Sequence, residues 1–350
     1  MVREAIQKVV DGERLSRQEA AAAMDAIMSG EATSAQIGAL VTALRMRGES
    51  DEEIAGFAES MRRHARRVPI ADGETVVDIV GTGGDRAQTF NISTTAAFVV
   101  AGAGVKVAKH GNRAMTSRCG AADVLEGLGV RIDLGPEEVG RCIDEVGIGF
   151  MYAQVFHPAM RFAGPSRKEI GIRTVFNILG PLTNPAAARF QMIGVSDPIV
   201  AARMARALAL LGTSHALVVH SRDGLDEISI SAPTTVNDVR VNGCVDVRQF
   251  EIEPAEVGIK GAPIEDVRGG SVEENVAITR HVLQGGNGAT RAITLLNAAA
   301  ALYAADVVPS IRDGVVLAAE SIDSGAAAAR LDELVRLSNR LADDVRLVVA

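Results

Sequence analysis

The sequence predicts an α/β protein: a large domain with a mainly parallel central sheet flanked by helices, joined to a small all-α domain. Three observations predict this. Helical periodicity with cap signals fills the first 70 or so residues. From Val76 onward, short β-branched runs alternate with helical stretches, the pattern of a parallel sheet. The chain has 350 residues, more than the ~250–300 at which a single core usually divides.

Ser16-x-x-Glu19, Thr33-x-x-Gln36 and Ser50-x-x-Glu53 each match a capping box. Apolar stripes at helical spacing follow them: Ala20/Ala23/Met24/Ile27, Ile37/Leu40/Val41/Leu44 and Ile54/Phe57/Ala58/Met61. Gly30 and Gly48 act as stop signals. The basic run Arg62-Arg63-His64-Ala65-Arg66-Arg67 reads as a solvated helix end complementing its own dipole, with a polyanion patch as the alternative. Pro69 and the polar residues to Glu74 form a linker. Strands are expected at 76–80, 105–108, 130–134, 150–153, 192–195 and 215–220. The expected helices between them start at Asn91, span 120–128 and 137–146, and run from Asp197-Pro198 to Gly212. From Phe156 to Pro185 the alternation gives way to a segment rich in Arg, Gly and Pro. Short β-rich runs reach Ile252, Ser271-x-x-Glu274 opens another helix, and Ala-rich helices near 289–305 and 325–342 complete the chain.

Two strand-to-loop transitions carry the chemistry. The first strand stops at Gly81-Thr82-Gly83-Gly84-Asp85, and Asn91-Ile92-Ser93-Thr94 then opens a helix. Clustered glycines leave backbone N–H groups able to close around an anion, and a helix N-terminus adds donors and partial positive charge. The second strand runs into Lys109-His110-Gly111-Asn112-Arg113, where Lys109 and Arg113 add charge. Both loops are suited to phosphate. The dinucleotide fingerprint fails, because Arg86 stands where its third glycine belongs, and no Walker motif is present. Asp226 and Glu227, adjacent after a strand, offer hard oxygen ligands of the kind Mg²⁺ takes beside phosphate and water, a solvated turn being the alternative.

Composition narrows the classes. With 47% apolar residues, 3% aromatics and no Trp, the core must rest on Ala, Val, Leu and Ile. A net charge of −8 argues against nucleic-acid binding. Cys119, Cys142 and Cys244 are odd in number and lack C-x-x-C spacing, which argues against disulfides or zinc. No apolar signal core follows Met1, and no stretch reaches the ~20 residues of a membrane span, so a soluble, cytoplasmic protein is expected.

GTGGD, NIST and KHGNR in that order, with GIRTVFNILGPLTNPA downstream, resemble the anthranilate phosphoribosyltransferases. These are enzymes of tryptophan biosynthesis, in the third structural class of phosphoribosyltransferases, and the resemblance covers essentially the whole chain. It implies a small helical domain of residues 1–72 and 166–189, used for dimerisation and as a wall of the acceptor site. The large donor-binding domain would be 73–165 and 190–350, and the protein a homodimer. It implies transfer of 5-phosphoribosyl from phosphoribosyl pyrophosphate to the amine of anthranilate, by positioning and electrostatics without an obligatory general base. The donor would be bound by Gly81, Thr82, Gly83, Gly84, Asp85, Thr89, Asn91, Ile92, Ser93 and Thr94. Lys109, His110, Gly111, Asn112, Arg113, Ala114, Met115, Thr116, Ser117 and Ala121 would complete its site. Anthranilate would meet Gly81, His110, Asn112, His157 and Arg167, the arginine serving its carboxylate. Ser93, Asp226 and Glu227 would hold two Mg²⁺ ions on the pyrophosphate.

The chain departs from the family's S-S-K-S-G-S-A-D, reading Thr116-Ser117-Arg118-Cys119-Gly120-Ala121-Ala122-Asp123. Ala121 removes a hydroxyl that usually touches donor phosphate, so weaker donor binding is expected. Arg173 reads as either a second anion contact or an interdomain pair. Two alternatives stay open at this level: a pyrimidine nucleoside phosphorylase-like enzyme, and a non-catalytic nucleic-acid-binding paralogue using Arg62–Arg67.

Overall fold

The computed structural model describes residues 1–71, 73–85, 87–114 and 118–349, with side chains to 344. Helices α1 (Val2–Val10), α2 (Arg17–Met28), α3 (Ser34–Arg47) and α4 (Asp51–His64) form an N-terminal bundle. All three expected capping boxes are made, on α2, α3 and α4. Glu53 is wholly buried, and its carboxylate also accepts from the Leu15 N–H at 2.8 Å and pairs with Arg47 at 2.5 Å. Gly56 lets α4 close on α2: a Cβ there would lie 2.2 Å from the Arg17 carbonyl oxygen.

The sheet has seven strands: β1 (Val76–Gly81), β2 (Lys106–Gly111), β3 (Ile148–Tyr152), β4 (Phe190–Gly194), β5 (His215–Ser221), β6 (Thr234–Val241) and β7 (Val245–Ile252). Their order is β3-β2-β1-β4-β5-β6-β7. The first five are parallel, while β6 and β7 add on as antiparallel strands. Helices α5 (Ile92–Gly102), α6 (Ala121–Gly127) and α7 (Pro136–Val146) fall between β1 and β3. Short helices α8 (Ala153–Phe156), α9 (Gly164–Ile170) and α10 (Phe176–Leu179) occupy the Gly- and Pro-rich excursion. Asp197 caps α11 (Pro198–Leu210), accepting from the N–H groups of Ile199 and Val200. The C-terminal helices are α12 (Val272–Leu283), α13 (Ala289–Ala304), α14 (Ile311–Asp323) and α15 (Ala326–Val349).

Alternation along the strands divides the core. Ile193, Val218 and Val239 face one layer, shared with the bundle, α10 and α11. Met192, Leu217, Val219 and Val236 face the other, built around α5, α13 and α15. Helix α5 is buried almost all round, which explains its apolar composition.

Three expectations are corrected. β2 continues through Lys109, His110 and Gly111, which pair with Phe150, Met151 and Tyr152 of β3, so these residues belong to the strand and not to the loop. Residues 130–134 form no strand. Val130, Ile132 and Leu134 alternate into the core as strand residues would, but the Arg131 N–H donates to Ser338 Oγ at 3.0 Å on α15 instead of to a neighbouring strand. Between the two expected Ala-rich C-terminal helices lies a further one, α14.

Candidate active site

The strand order reverses between β1 and β4, and the crevice outside their carboxyl ends is where an open parallel sheet binds its ligands. Three loops meet there: those after β1 and β4, and the segment from Arg222 to Glu227 after β5. Glycines make the approach possible. A Cβ on Gly194 would sit 1.7 Å from the Asp226 carbonyl oxygen, and one on Gly81 would sit 2.5 Å from Asp226 Oδ2. Asp226 is thereby wedged against the ends of β1 and β4.

Gly83 and Gly84 have φ of 69° and 82°, conformations that favour glycine. The Gly83 N–H donates to Asp226 Oδ2 at 2.6 Å, and the Ser93 N–H donates to Glu227 Oε1 at 3.2 Å. The two carboxylates thus tie the GTGGD loop and the N-terminus of α5 together. Both are buried, and both are pushed towards the neutral form. Burial raises Asp226 well above the carboxylate range, helped by the charges of Asp85 and Glu227. Burial likewise raises Glu227 to about 7, although Lys109 opposes it. Glu227 Oε2 is buried without a hydrogen-bond partner.

That orphaned oxygen, with a neighbouring carboxylate it repels, fits a divalent cation. Among the described residues no three His, Cys, Asp or Glu side chains form a closed metal site. Two carboxylates and a hydroxyl suit Mg²⁺, which keeps its other positions for phosphate oxygen and water.

Lys109 is buried within this site. Its Nζ donates to the Ile79 carbonyl at 2.5 Å and lies 3.4 Å from Ser93 Oγ. Asp78, which sequence reasoning missed, anchors the same strand end. Its carboxylate accepts from the His110 N–H at 3.2 Å and from Asn184 Nδ2 at 2.7 Å, and burial raises it to about 6. An acidic residue inside an apolar strand was the available signal.

The His110 and His157 rings lie 5.0 Å apart. His110 Nδ1 donates to the Gly180 carbonyl at 3.2 Å, leaving a buried Nε2 without a partner, as in His157. Burial lowers His110 to about 3 and His157 to about 4, so both are neutral at physiological pH. Arg167, half-buried on α9, stacks its guanidinium 5.2 Å from the centre of the Phe176 ring and has no carboxylate partner among the described residues. Burial lowers its pKa.

Not every expected ligand points into the crevice. Arg113 is turned aside, paired with Asp123 at 2.9 Å and Glu126 at 2.8 Å. The Asn91 side chain is spent on the Cys119 carbonyl and on Asn275. Ile92 and Thr94 are buried, and the Ile92 N–H is already donated to the Phe90 carbonyl at 2.8 Å. Thr89 forms an isolated bridge with Arg268, Asn112 Oδ1 accepts from the Arg113 N–H, and the Ala114 N–H donates to Asp123. Gly111 ends β2 against Phe150, and Ala121 begins α6 beside it. Met115, Thr116 and Ser117 lie outside the described residues.

The chain matches the α/β domain of a glycosyl transferase family over residues 73–328 and that family's helical bundle domain over 3–65. It is 60% identical to the anthranilate phosphoribosyltransferase of Thermomicrobium roseum, over 98% of this chain and 99% of the relative. The chain belongs to the anthranilate phosphoribosyltransferase family. The enzyme of that name from Thermus thermophilus superposes with a TM-score of 0.90 at 45% identity, covering 96% of this chain and 99% of the other. The Saccharomyces cerevisiae enzyme, in complex with PRPP and Mg, does so at 0.88 and 29%, covering 97% and 98%.

Family membership displaces the phosphorylase alternative. Of the basic run, Arg62 donates to the Leu182 carbonyl at 2.7 Å and Arg63 and His64 both engage Asp25, while Arg66 and Arg67 are exposed. No described helix is long and apolar enough to cross a membrane.

Proposed function

We propose that this chain transfers 5-phosphoribosyl from phosphoribosyl pyrophosphate to the amine of anthranilate, giving N-(5-phosphoribosyl)anthranilate and pyrophosphate, as a step of tryptophan biosynthesis. The observation that carries the residue assignment is the buried Asp226–Glu227 pair, clamped to the GTGGD loop on one side and the start of α5 on the other. Asp226, Glu227 and Ser93 would hold Mg²⁺, and we assign two ions per subunit. When bound, the metal neutralises the departing pyrophosphate.

The chain's own residues do the rest. Backbone N–H groups of the GTGGD loop and of α5 receive the phosphates. Lys109 adds positive charge in a site shielded from water, where charge acts more strongly; burial lowers its pKa, and the charges of Asp78 and Glu227 oppose that. Arg167 takes the acceptor carboxylate, with Phe176 holding its guanidinium flat. Asn112, His110 and His157 wall the acceptor, and Gly81 brings bare backbone to it. The bond from C1 to the pyrophosphate oxygen breaks with its electron pair going to oxygen, while nitrogen supplies the pair for the new C1–N bond. The arylammonium so formed is strongly acidic and loses its proton without a strong base. Two neutral histidines that resist protonation are consistent with that demand.

The apolar layer that joins α1–α4 to α10 supports treating 1–72 and 166–189 as the small domain, with 73–165 and 190–350 as the large one. The same layer takes in α11, so the two domains share packing. We assign a homodimer formed through the bundle, where Val10 and Met46 are exposed. We assign the enzyme to the cytoplasm. Loss of anthranilate fluorescence with phosphoribosyl pyrophosphate and Mg²⁺ tests the reaction. Absence of Mg²⁺-dependent turnover by the wild type would refute it.

A further inference from the structure

Arg173 stands apart from the residues assigned above. It follows α9 in the same excursion as Arg167, and the left-handed Gly171 between them (φ 66°) turns the chain back towards β1. The turn after it is fixed: the Thr174 N–H donates to Asn177 Oδ1 at 2.9 Å, and the Asn177 N–H donates to the Thr174 carbonyl at 2.9 Å. From this turn the Arg173 guanidinium reaches across the GTGGD loop and donates from Nη1 to the Gly83 carbonyl at 2.7 Å. It lies so close over the next residue that a Cβ on Gly84 would fall 1.4 Å from Nη1.

Packing does not force this contact. Arg173 is exposed and borders a cavity of about 190 Å³, shared with Arg45, Thr82 and Asn177, into which it could swing. Ser196 Oγ also reaches the Gly83 carbonyl, at 3.4 Å, so the Arg173 bond is the shorter and the charged one of the contacts that hold it.

A trans peptide points its C=O and N–H in opposite directions. Holding the Gly83 oxygen towards Arg173 turns the Gly84 N–H away from it, and among the described residues that N–H has no protein acceptor. The neighbouring peptide is held too, through the Gly83 N–H on Asp226. Flanked by two glycines that tolerate either sign of φ, the Gly83–Gly84 peptide can flip at little cost unless something holds it.

We propose that Arg173 is a positioning residue: by gripping the Gly83 carbonyl it keeps the Gly84 N–H directed at the donor's phosphates, and so links the acceptor-binding excursion to the donor loop. Without it only the longer contact from Ser196 Oγ, at 3.4 Å, holds this oxygen, and the peptide turns more readily to present a carbonyl, which repels the anion. This rests on the functional reading above, and wild-type turnover measured alongside separates failure of one from failure of the other.

The test compares Arg173→Ala and Arg173→Lys with wild type. The readouts are the KM of each substrate, kcat, calorimetric binding of phosphoribosyl pyrophosphate with Mg²⁺, and thermal stability. Loss of a charge-assisted hydrogen bond from an exposed donor sets the scale at roughly tenfold. Arg173→Ala should raise the donor KM and the calorimetric Kd by about that factor, leaving the anthranilate KM and Tm within about twofold and about one degree of wild type. Arg173→Lys should recover most of the donor affinity. A crystal structure of ligand-free Arg173→Ala should show the Gly83 carbonyl rotated from its present direction. Unchanged donor affinity, a rise confined to the anthranilate KM, a fall in Tm with both KM values raised, or an unrotated peptide with weakened donor binding would each overturn the proposal.

Discussion

Replacing Glu227 by glutamine should make the ligand-free protein more stable while abolishing its activity. The wild-type carboxyl titrates at about 7 instead of its ordinary 4.5, chiefly because burial disfavours the charged form. A displacement of that size corresponds to about 3 kcal/mol. Its sign follows from linkage. Below the unfolded-state value, both states hold the proton and there is no penalty. As pH rises from 4.5 through about 7, the unfolded chain releases its proton first, so wild-type stability falls across that window. Glutamine keeps the shape, still accepts from the Ser93 N–H and carries no charge, so its stability is flat there. Urea denaturation without Mg²⁺ should give nearly equal stabilities near about pH 4 and a gap of about 2–3 kcal/mol in favour of Glu227→Gln near about pH 8. In parallel, Mg²⁺ with inorganic pyrophosphate should raise the Tm of wild type and not of the variant. A variant no more stable than wild type near about pH 8, or one that keeps wild-type turnover, would refute the view that this carboxylate is strained for metal binding.

Arg167→Ala should raise the anthranilate KM by roughly 10–150-fold with little change in the donor KM, the value of a charged hydrogen bond, read from kinetics with each substrate varied in turn. Gly194→Ala pushes a methyl into the Asp226 carbonyl and should cost most Mg²⁺-dependent turnover, while circular dichroism stays native. Gly56→Ala, which drives α4 off α2, should lower folding stability by about 1–3 kcal/mol in denaturant titrations. With burial holding His110 and His157 at about 3 and about 4, the pH profile of kcat/KM should show no histidine limb near about 6.5; a limb there that vanishes in His157→Asn would contradict the neutral walls described above.

Much of the proposed site was legible before folding because its parts are local. Three glycines after a β-branched run, a basic strand end and two adjacent acids each carry their chemistry in sequence, and a capping box needs only four residues. Asp78 and Arg173 were harder to see. Asp78 looks like a flaw in an apolar strand until Asn184, over a hundred positions away, supplies its partner. Arg173 finds its partner only when folding brings up the Gly83 carbonyl, 90 positions away. The 130–134 segment misled for a related reason: its alternating burial is what a strand shows, but a strand also needs a neighbour with free backbone groups, and α15 lies there instead.

Acting through near neighbours, the sequence by itself determined the helical bundle with its caps, the alternation that demands a parallel sheet, and two loops rich in unshielded N–H groups. Only the tertiary structure decided how these groups are buried and partnered. Folding buried Glu227 without a partner for one oxygen, wedged Asp226 against Gly81 and Gly194, and spent Arg113 on Asp123 and Glu126. Charge and hydrogen-bond capacity are properties of a residue, but what they cost or supply depends on the water removed and the partner brought near, and long-range packing sets both.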